Sequence, residues 1–366
     1  MKSKFDTSRM PDIRKGMPSS NLDEETFKNR FRQQFLDPQF GTLEAELKKI
    51  ANVAWRAYST SRKSPKTRRA GDGFSDPDHE LSFDWLATRD NIAAAQIRHD
   101  DESLPARILL INGSSRSEHT CPGEMSKSYR LVEIARSAIL DTGQIDVEVL
   151  DLSRLASEYG RNIHPCKACF STAAPLCHWP CSCYPNLGLG QTQDWMNEIY
   201  PMWVAAHGIM IVTPVNWYQV SSPLKLMMDR LTCADGGNPD PTSTHGKHAN
   251  EAKALEMAGW HYPRHLEGRL FSVVVHGDVE GAENVRRLLV DWLAFMRLAP
   301  AAAKAQLDRY IGYWQPYATS HLALDEDRDI QKEVANAGKA LASAVIELRR
   351  GKFPLADAGL SDPRSK

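Results

Sequence analysis

The sequence predicts an α/β fold: a doubly wound, five-stranded parallel sheet preceded by a helical extension. Three observations carry that expectation. Residues 108–111 (ILLI), 208–215 (GIMIVTPV) and 271–276 (FSVVVH) are apolar runs of strand length, the pattern of parallel strands buried on both faces. Stripes at helical spacing alternate with these runs. The runs also end in polar or Gly-rich loops, and ligands of open α/β sheets bind at such strand ends.

In chain order, residues 1–20 are polar, with Pro11 and Pro18 and no periodicity, and are expected to be a disordered tail. Residues 21–105 read as the helical extension. Asn21 or Asp23 caps a helix carrying Phe27, Phe31 and Phe35 at four-residue spacing. Leu43, Leu47, Ile50, Ala54 and Ala57 stripe a second helix. The basic stretch 62–69, closed by Gly71 and Gly73, is read as a solvated connector. A third helix is expected over 77–98, with Leu81, Trp85 and Ile92 inward.

The alternating region spans 106–350. Its first strand stops at Asn112-Gly113, and the hydroxyl-rich turn Ser114, Ser115, Arg116, Ser117, Thr120 follows. A helical pattern begins near Gly123, with Leu131, Ile134, Ala138 and Ile139 on one face. Residues 145–150 (IDVEVL) alternate as a second, more exposed strand. A Cys-rich insert over 164–186 interrupts. A helix over 192–206 then feeds the strand at 208–215, and a short helix over 223–231 begins with Pro223. Residues 232–268 are rich in Gly, Pro and His and read as an excursion at an active site or subunit contact. The fourth strand leads into a helix with Val285, Leu288, Leu289, Trp292 and Met296. A weaker strand at 307–312 precedes a last helix carrying Ile330, Val334, Ala337, Leu341, Ala344 and Leu348. Residues 351–366 form a tail.

Composition narrows the function. The 366 residues are 42% hydrophobic and 25% charged with a net charge of −1, which points to neither nucleic acid nor a membrane surface. No apolar run approaches the length of a spanning helix. The N-terminus lacks an apolar signal core, so a cytoplasmic location is the expectation. Seven cysteines, an odd number without a secretory signal, argue against a disulfide framework.

Strand, polar loop and helix start together gather N–H groups and hydroxyls around an anion. Neither GxGxxG nor GxxxxGK[ST] occurs in the loop, so it is not read as a dinucleotide or Walker loop. Hydroxyls with one Arg suit a terminal monophosphate such as that of FMN. The alternative is an ordinary βα connection.

The segments 108–117 (ILLINGSSRS), 208–230 (GIMIVTPVNWYQVSSPLKLMMDR) and 276–283 (HGDVEGAE) resemble the NADPH-dependent FMN reductase branch of the flavodoxin-like superfamily. The resemblance covers roughly 106–350 and implies a flavodoxin-like fold. It implies that Gly113, Ser114, Ser115, Arg116, Ser126, Lys127 and Ser128 enclose the FMN phosphate. Pro214, Val215, Asn216, Trp217 and Tyr218 would lie along the flavin ring, with His276, Gly277 and Asp278 as the third loop. The implied activity is an FMN-dependent oxidoreductase. It would take electrons from NAD(P)H and pass them to a quinone, metal or protein acceptor, with the flavin rather than a side chain carrying the chemistry. Arg116 or the basic stretch 62–69 would meet a 2′-phosphate of NADPH. Assembly as a homodimer or homotetramer is implied too. Two readings from other classes stand beside it: an FMN-binding electron carrier without turnover of its own, and a zinc-stabilised interaction protein.

Five of the seven cysteines fall within 18 residues: Cys166-x2-Cys169-x7-Cys177-x3-Cys181-x-Cys183. A similar interval holds the cluster motif of iron–sulfur flavoproteins. That resemblance implies a [4Fe–4S] cluster on Cys166, Cys169, Cys177 and one of Cys181 or Cys183. Zinc is the rival occupant, and a metal-free Cys166/Cys169 redox pair the third reading. His164 and His178 are further candidate ligands, whereas Cys121 and Cys233 stand apart.

Overall fold

The computed structural model describes residues 16–60, 66–121, 123–184, 194–316 and 319–353. Most of both expected tails, the start of the basic stretch and the end of the Cys-rich insert lie outside the described residues. The chain forms two compact units. One comprises Met1–Leu86, Ala168–Asp194 and Asn238–Trp260, the other Ala87–Lys167, Trp195–Gly237 and His261–Lys366.

The second unit contains the sheet. Its strands are β1 (Ala106–Asn112), β2 (Ile145–Asp151), β3 (Gly208–Pro214), β4 (Leu270–Gly277) and β5 (Gln306–Tyr310). All are parallel, in the order β2-β1-β3-β4-β5, the flavodoxin-like winding. Ala299–Pro300 adds a two-residue sixth strand beside the start of β4, too short to be visible as an apolar run. The winding reverses between β1 and β3, where such sheets open a crevice. Register brings the strand ends level: Asn112 lies opposite Asp151 and Val212, Pro214 opposite His276, and His276 opposite Arg309.

On one face, Leu131, Val132, Ala135 and Ile139 of the helix Lys127–Leu140 share a core with Val334, Ala337, Leu341 and Val345 of the helix Arg328–Arg349. They cover Ile108, Leu110, Met210, Val212 and Val274. Each such aliphatic side chain stabilises the fold by about 1.5–3 kcal/mol on burial. Gly338 lets the two helices approach, since a Cβ there would stand 3.1 Å from the Ala135 carbonyl oxygen. The alternate strand residues Leu109, Ile111, Ile209, Ile211, Val273 and Val275 are equally buried. Trp203 of the helix Met196–Ala205 meets Trp292 of the helix Ala282–Phe295 edge-on.

The helix expected from Gly123 starts four residues later. Ser126 is its cap, accepting the Tyr129 N–H at 3.0 Å, so Gly123–Met125 belong to the preceding loop.

In the other unit, Asp23 caps the helix Glu24–Arg32 by accepting the Thr26 N–H, and Phe27 stacks on Tyr58 of the helix Glu44–Ser59. Phe35 falls outside the first helix, in a short 3-10 turn. The second helix buries Leu47, Ala51, Ala54 and Ala57, while Ile50 is 51% exposed. Three small alanines face inward beside Leu47, and the larger Ile50 does not.

The basic stretch contains more than a connector. Thr67–Arg69 pairs antiparallel with Glu80–Ser82, so Leu81 is a strand residue and the third helix runs Phe83–Asp100. The 232–268 excursion holds a helix, Ala249–Met257, whose Ala252 packs on Ala173 and Leu176 of the Cys-rich segment. Among the described residues, no helix is long and apolar enough to cross a membrane.

Candidate functional site

Three strand ends of the sheet unit meet at one cavity of about 350 Å³, within the size range of small-ligand sites. Ser114, Ser115 and Arg116 line it from the loop after β1. Ser126, Lys127 and Ser128 line it from the helix start. Pro214, Val215 and Asn216 come from the end of β3, and His276, Gly277 and Asp278 from the end of β4.

The loop after β1 is held by its own polar groups. The Gly113 N–H donates to the Val212 carbonyl at 2.7 Å, and the Ser221 hydroxyl donates to the Gly113 carbonyl. Gly113 itself stands behind the cavity, where no side chain fits. A Cβ there would come 2.8 Å from Thr213 Cβ and Oγ1 and 3.0 Å from Leu224 Cδ2. The Asn112 side chain accepts the Ser114 N–H at 3.2 Å.

Two buried serines then present their hydroxyl hydrogens. Ser114 Oγ accepts the Arg116 N–H at 3.1 Å, and Ser126 Oγ accepts the Tyr129 N–H at 3.0 Å. Each oxygen is fixed by a backbone donor, which leaves its O–H to be given to an anion. The first amides of the helix Lys127–Leu140 add the partial positive charge of a helix start. This donor set fits a phosphate.

The charges are mixed: cations Arg116 and Lys127, carboxylates Glu124 and Asp278. Burial holds the Lys127 amine below its ordinary value. Asp278 and Glu124 pull it back up, and Arg116 pushes it down further. Lys127 Nζ sits 5.6 Å from the centre of the Tyr313 ring and donates to the Ile311 carbonyl at 3.5 Å.

His276 is buried, with Nε2 2.8 Å from Ser128 Oγ. Burial, helped by Lys127, lowers its pKa to about 3, so it is neutral at physiological pH. His99, His207 and His265 of the same unit are lowered to about 4, each chiefly by burial. The unfolded chain protonates all four near pH 6.5. Below that value the unfolded state binds more protons, so stability falls as the pH drops from about 6.5 toward 4. Each such group contributes up to about 1.4 kcal/mol per pH unit. The urea midpoint of the sheet unit is expected to be clearly lower at pH 5 than at pH 7.5; equal midpoints would contradict neutral burial.

Trp217 and Tyr218 are placed differently from the other expected ring contacts. They form the tip of a two-residue turn closed by Asn216 and Gln219, and are 93% and 61% exposed. Both have positive φ, 48° and 65°, which costs an aromatic residue roughly 1–2 kcal/mol. The Val215 N–H donates to the His276 carbonyl at 2.9 Å, and the Asn216 N–H to the Gln219 carbonyl at 2.8 Å. Those two amides are therefore committed within the protein, and Asn216 is the polar residue among the three this loop brings to the cavity.

Sequence reasoning missed four lining residues: Glu124, Met125, Ser320 and His321. Glu124 and Met125 occupy the long loop before the helix. Ser320 and His321 begin the helix Ser320–Glu326, and no local pattern links them to the strand-end loops before them in the chain.

Among the candidate metal ligands, Cys166 is exposed and belongs to the sheet unit. Cys169, Cys177, Cys181 and Cys183 belong to the other unit. Both ring nitrogens of His178 are in hydrogen bonds, Nε2 2.9 Å from Thr244 Oγ1 and Nδ1 2.5 Å from Ser182 Oγ. Cys233 is buried and donates to the Arg230 carbonyl, and Cys121 is exposed.

A family model described as NADPH-dependent FMN reductase matches residues 106–309. No curated protein matches the chain. Among solved structures, one similar to it is RosB with a bound 8-demethyl-8-formylriboflavin-5′-phosphate intermediate. It shows 13% identity and a TM-score of 0.44, over 71% of this chain and 91% of that one. An oxidoreductase from Corynebacterium diphtheriae shows 14% identity and a TM-score of 0.36, over 66% and 98%. The NADH:FMN oxidoreductase EMOB in its apo form shows 13% and 0.36, over 65% and 89%.

Proposed function

The chain belongs to the NADPH-dependent FMN reductase family, and on that premise we propose that its cavity takes FMN, with the phosphate in the loop between β1 and the helix Lys127–Leu140. It is an FMN-dependent oxidoreductase served by a nicotinamide nucleotide. When bound, FMN supplies the redox chemistry, accepting reducing equivalents from the nicotinamide and releasing them to an acceptor.

The chain's own residues bind and orient. Ser114 and Ser126 donate hydroxyl hydrogens to the phosphate, and Arg116 and Lys127 offset its charge. Gly113 keeps the loop against β3. Pro214, Val215, Asn216 and Gly277 provide the wall for the ring. His276 stays neutral, holds Ser128 and supplies no proton. The convergence of three strand-end loops on one cavity, with two serine O–H groups left to donate, is the observation that supports this reading. An acceptor of quinone, ferric or protein type and assembly as a homodimer or homotetramer belong to the same reading.

Steady-state oxidation of NADPH and of NADH by the FMN-loaded protein tests it, with a quinone or a ferric complex as acceptor. Sustained turnover with at least one nucleotide is expected. An electron carrier would bind FMN yet oxidise neither.

A further inference from the structure

Four cysteines of the Cys-rich segment converge in the unit that does not contain the sheet. Cys169 Sγ lies 4.0 Å from Cys183 Sγ. The Cys169 thiol also interacts with Cys177, and the Cys183 thiol with Cys181. The sulfurs thus form one connected group, Cys177–Cys169–Cys183–Cys181. We propose that Cys169, Cys177, Cys181 and Cys183 are the four thiolate ligands of one structural zinc ion.

Separation favours zinc over a cubane. Thiolates that share one tetrahedral zinc, with Zn–S of about 2.3 Å, stand about 3.8 Å apart along each edge. The 4.0 Å between Cys169 and Cys183 is close to that edge. In a [4Fe–4S] cluster each cysteine binds a different iron, so its sulfurs are held further apart. The iron–sulfur ligand set implied by the resemblance also needs Cys166, which is exposed.

A second observation concerns charge. The Lys247 ammonium reaches into the group, 3.8 Å from Cys169 Sγ, and donates to the Leu176 carbonyl. Four neutral thiols offer a cation little. Four thiolates on a dication leave a doubly negative site, which an adjacent ammonium stabilises and orients.

The supporting frame is in place. Asn238 donates from its N–H to the Cys177 carbonyl at 2.7 Å and from its side chain to the Pro175 carbonyl at 3.2 Å. Trp179 N–H donates to the Asn238 carbonyl at 2.8 Å. Cys169 packs against Ala173, Leu176 and Ala252. Among the described residues no three His, Cys, Asp or Glu side chains already surround a single point. The ion therefore draws the sulfurs together: four S–H protons leave to solvent as four Zn–S bonds form.

The test is metal analysis of the full-length protein as purified, with thiol titration and cobalt substitution. One zinc per chain is expected, with four thiols that react only after chelation. Cobalt exchange is expected to give thiolate-to-metal charge transfer and the intense visible bands of a tetrahedral site. Cys183→Ser should lose the metal, and Cys166→Ser should keep it. Lys247→Met should weaken zinc by about tenfold to a hundredfold, which does not depend on the cysteine variants folding. Iron with acid-labile sulfide, loss of the metal in Cys166→Ser, or a metal-free protein whose thiols all react at once would each overturn the proposal. None of these readouts depends on flavin, so the zinc and FMN readings fail separately.

Discussion

Gly113→Ala is expected to strip FMN from the protein while leaving a folded chain. The new methyl would meet Thr213 Cβ at 2.8 Å and Leu224 Cδ2 at 3.0 Å, and neither β3 nor the helix Ser222–Leu231 has room to retreat. Thr213 and Leu224 are fully buried, so the loop backbone must yield instead. Overpacking of this kind costs roughly 1–3 kcal/mol of stability. The functional loss is larger, because Ser114 and Arg116 follow directly and their amides and hydroxyls move with the backbone. Losing two charge-assisted hydrogen bonds of about 1.5–3 kcal/mol each corresponds to roughly 10²–10⁴-fold in affinity. Fluorescence titration with FMN checks this, with circular dichroism confirming the fold. Wild-type affinity in a folded variant would mean that the loop's closeness to β3 is irrelevant to the ligand.

The second large effect is expected for Ser114→Ala combined with Arg116→Ala. Here the backbone is left in place and the donors are removed. Ser114 contributes a hydroxyl hydrogen and, through its oxygen, the bond that fixes the Arg116 amide. Arg116 contributes charge at the rim. FMN affinity should fall by about 10²–10⁴-fold, while riboflavin, which lacks the phosphate, should change by less than about threefold. A parallel loss for both ligands would point to a collapsed cavity rather than a missing phosphate contact.

The sheet was legible because buried parallel strands leave apolar runs and their helices leave stripes; β1, β3 and β4 are all of this kind. The loop that lines the cavity was legible because strand, hydroxyls and helix start are contiguous. What escaped has physical causes. Ser320 and His321 reach the cavity through winding, not through any local pattern. The ribbon Thr67–Arg69 with Glu80–Ser82 is short, charged and without alternation. The alanine face of Glu44–Ser59 prevails over Ile50, although a hydropathy stripe favours the isoleucine. Spacing groups Cys166 with its neighbours and says nothing of Lys247, whose ammonium reaches Cys169 from a segment almost 80 residues further on. The exposed turn tip at Trp217 and Tyr218, both with positive φ, leaves no mark in the sequence, where neither residue is a glycine. That strain is of the kind that persists at functional sites.

In the proposed binding mode the FMN phosphate is gripped where β1 gives way to the helix Lys127–Leu140. Calorimetric titration of the flavin-free protein with FMN and, separately, with riboflavin tests it most directly. FMN is expected to bind at least about 100-fold more tightly, the share of two or more charge-assisted hydrogen bonds. Equal affinities for the two would contradict it.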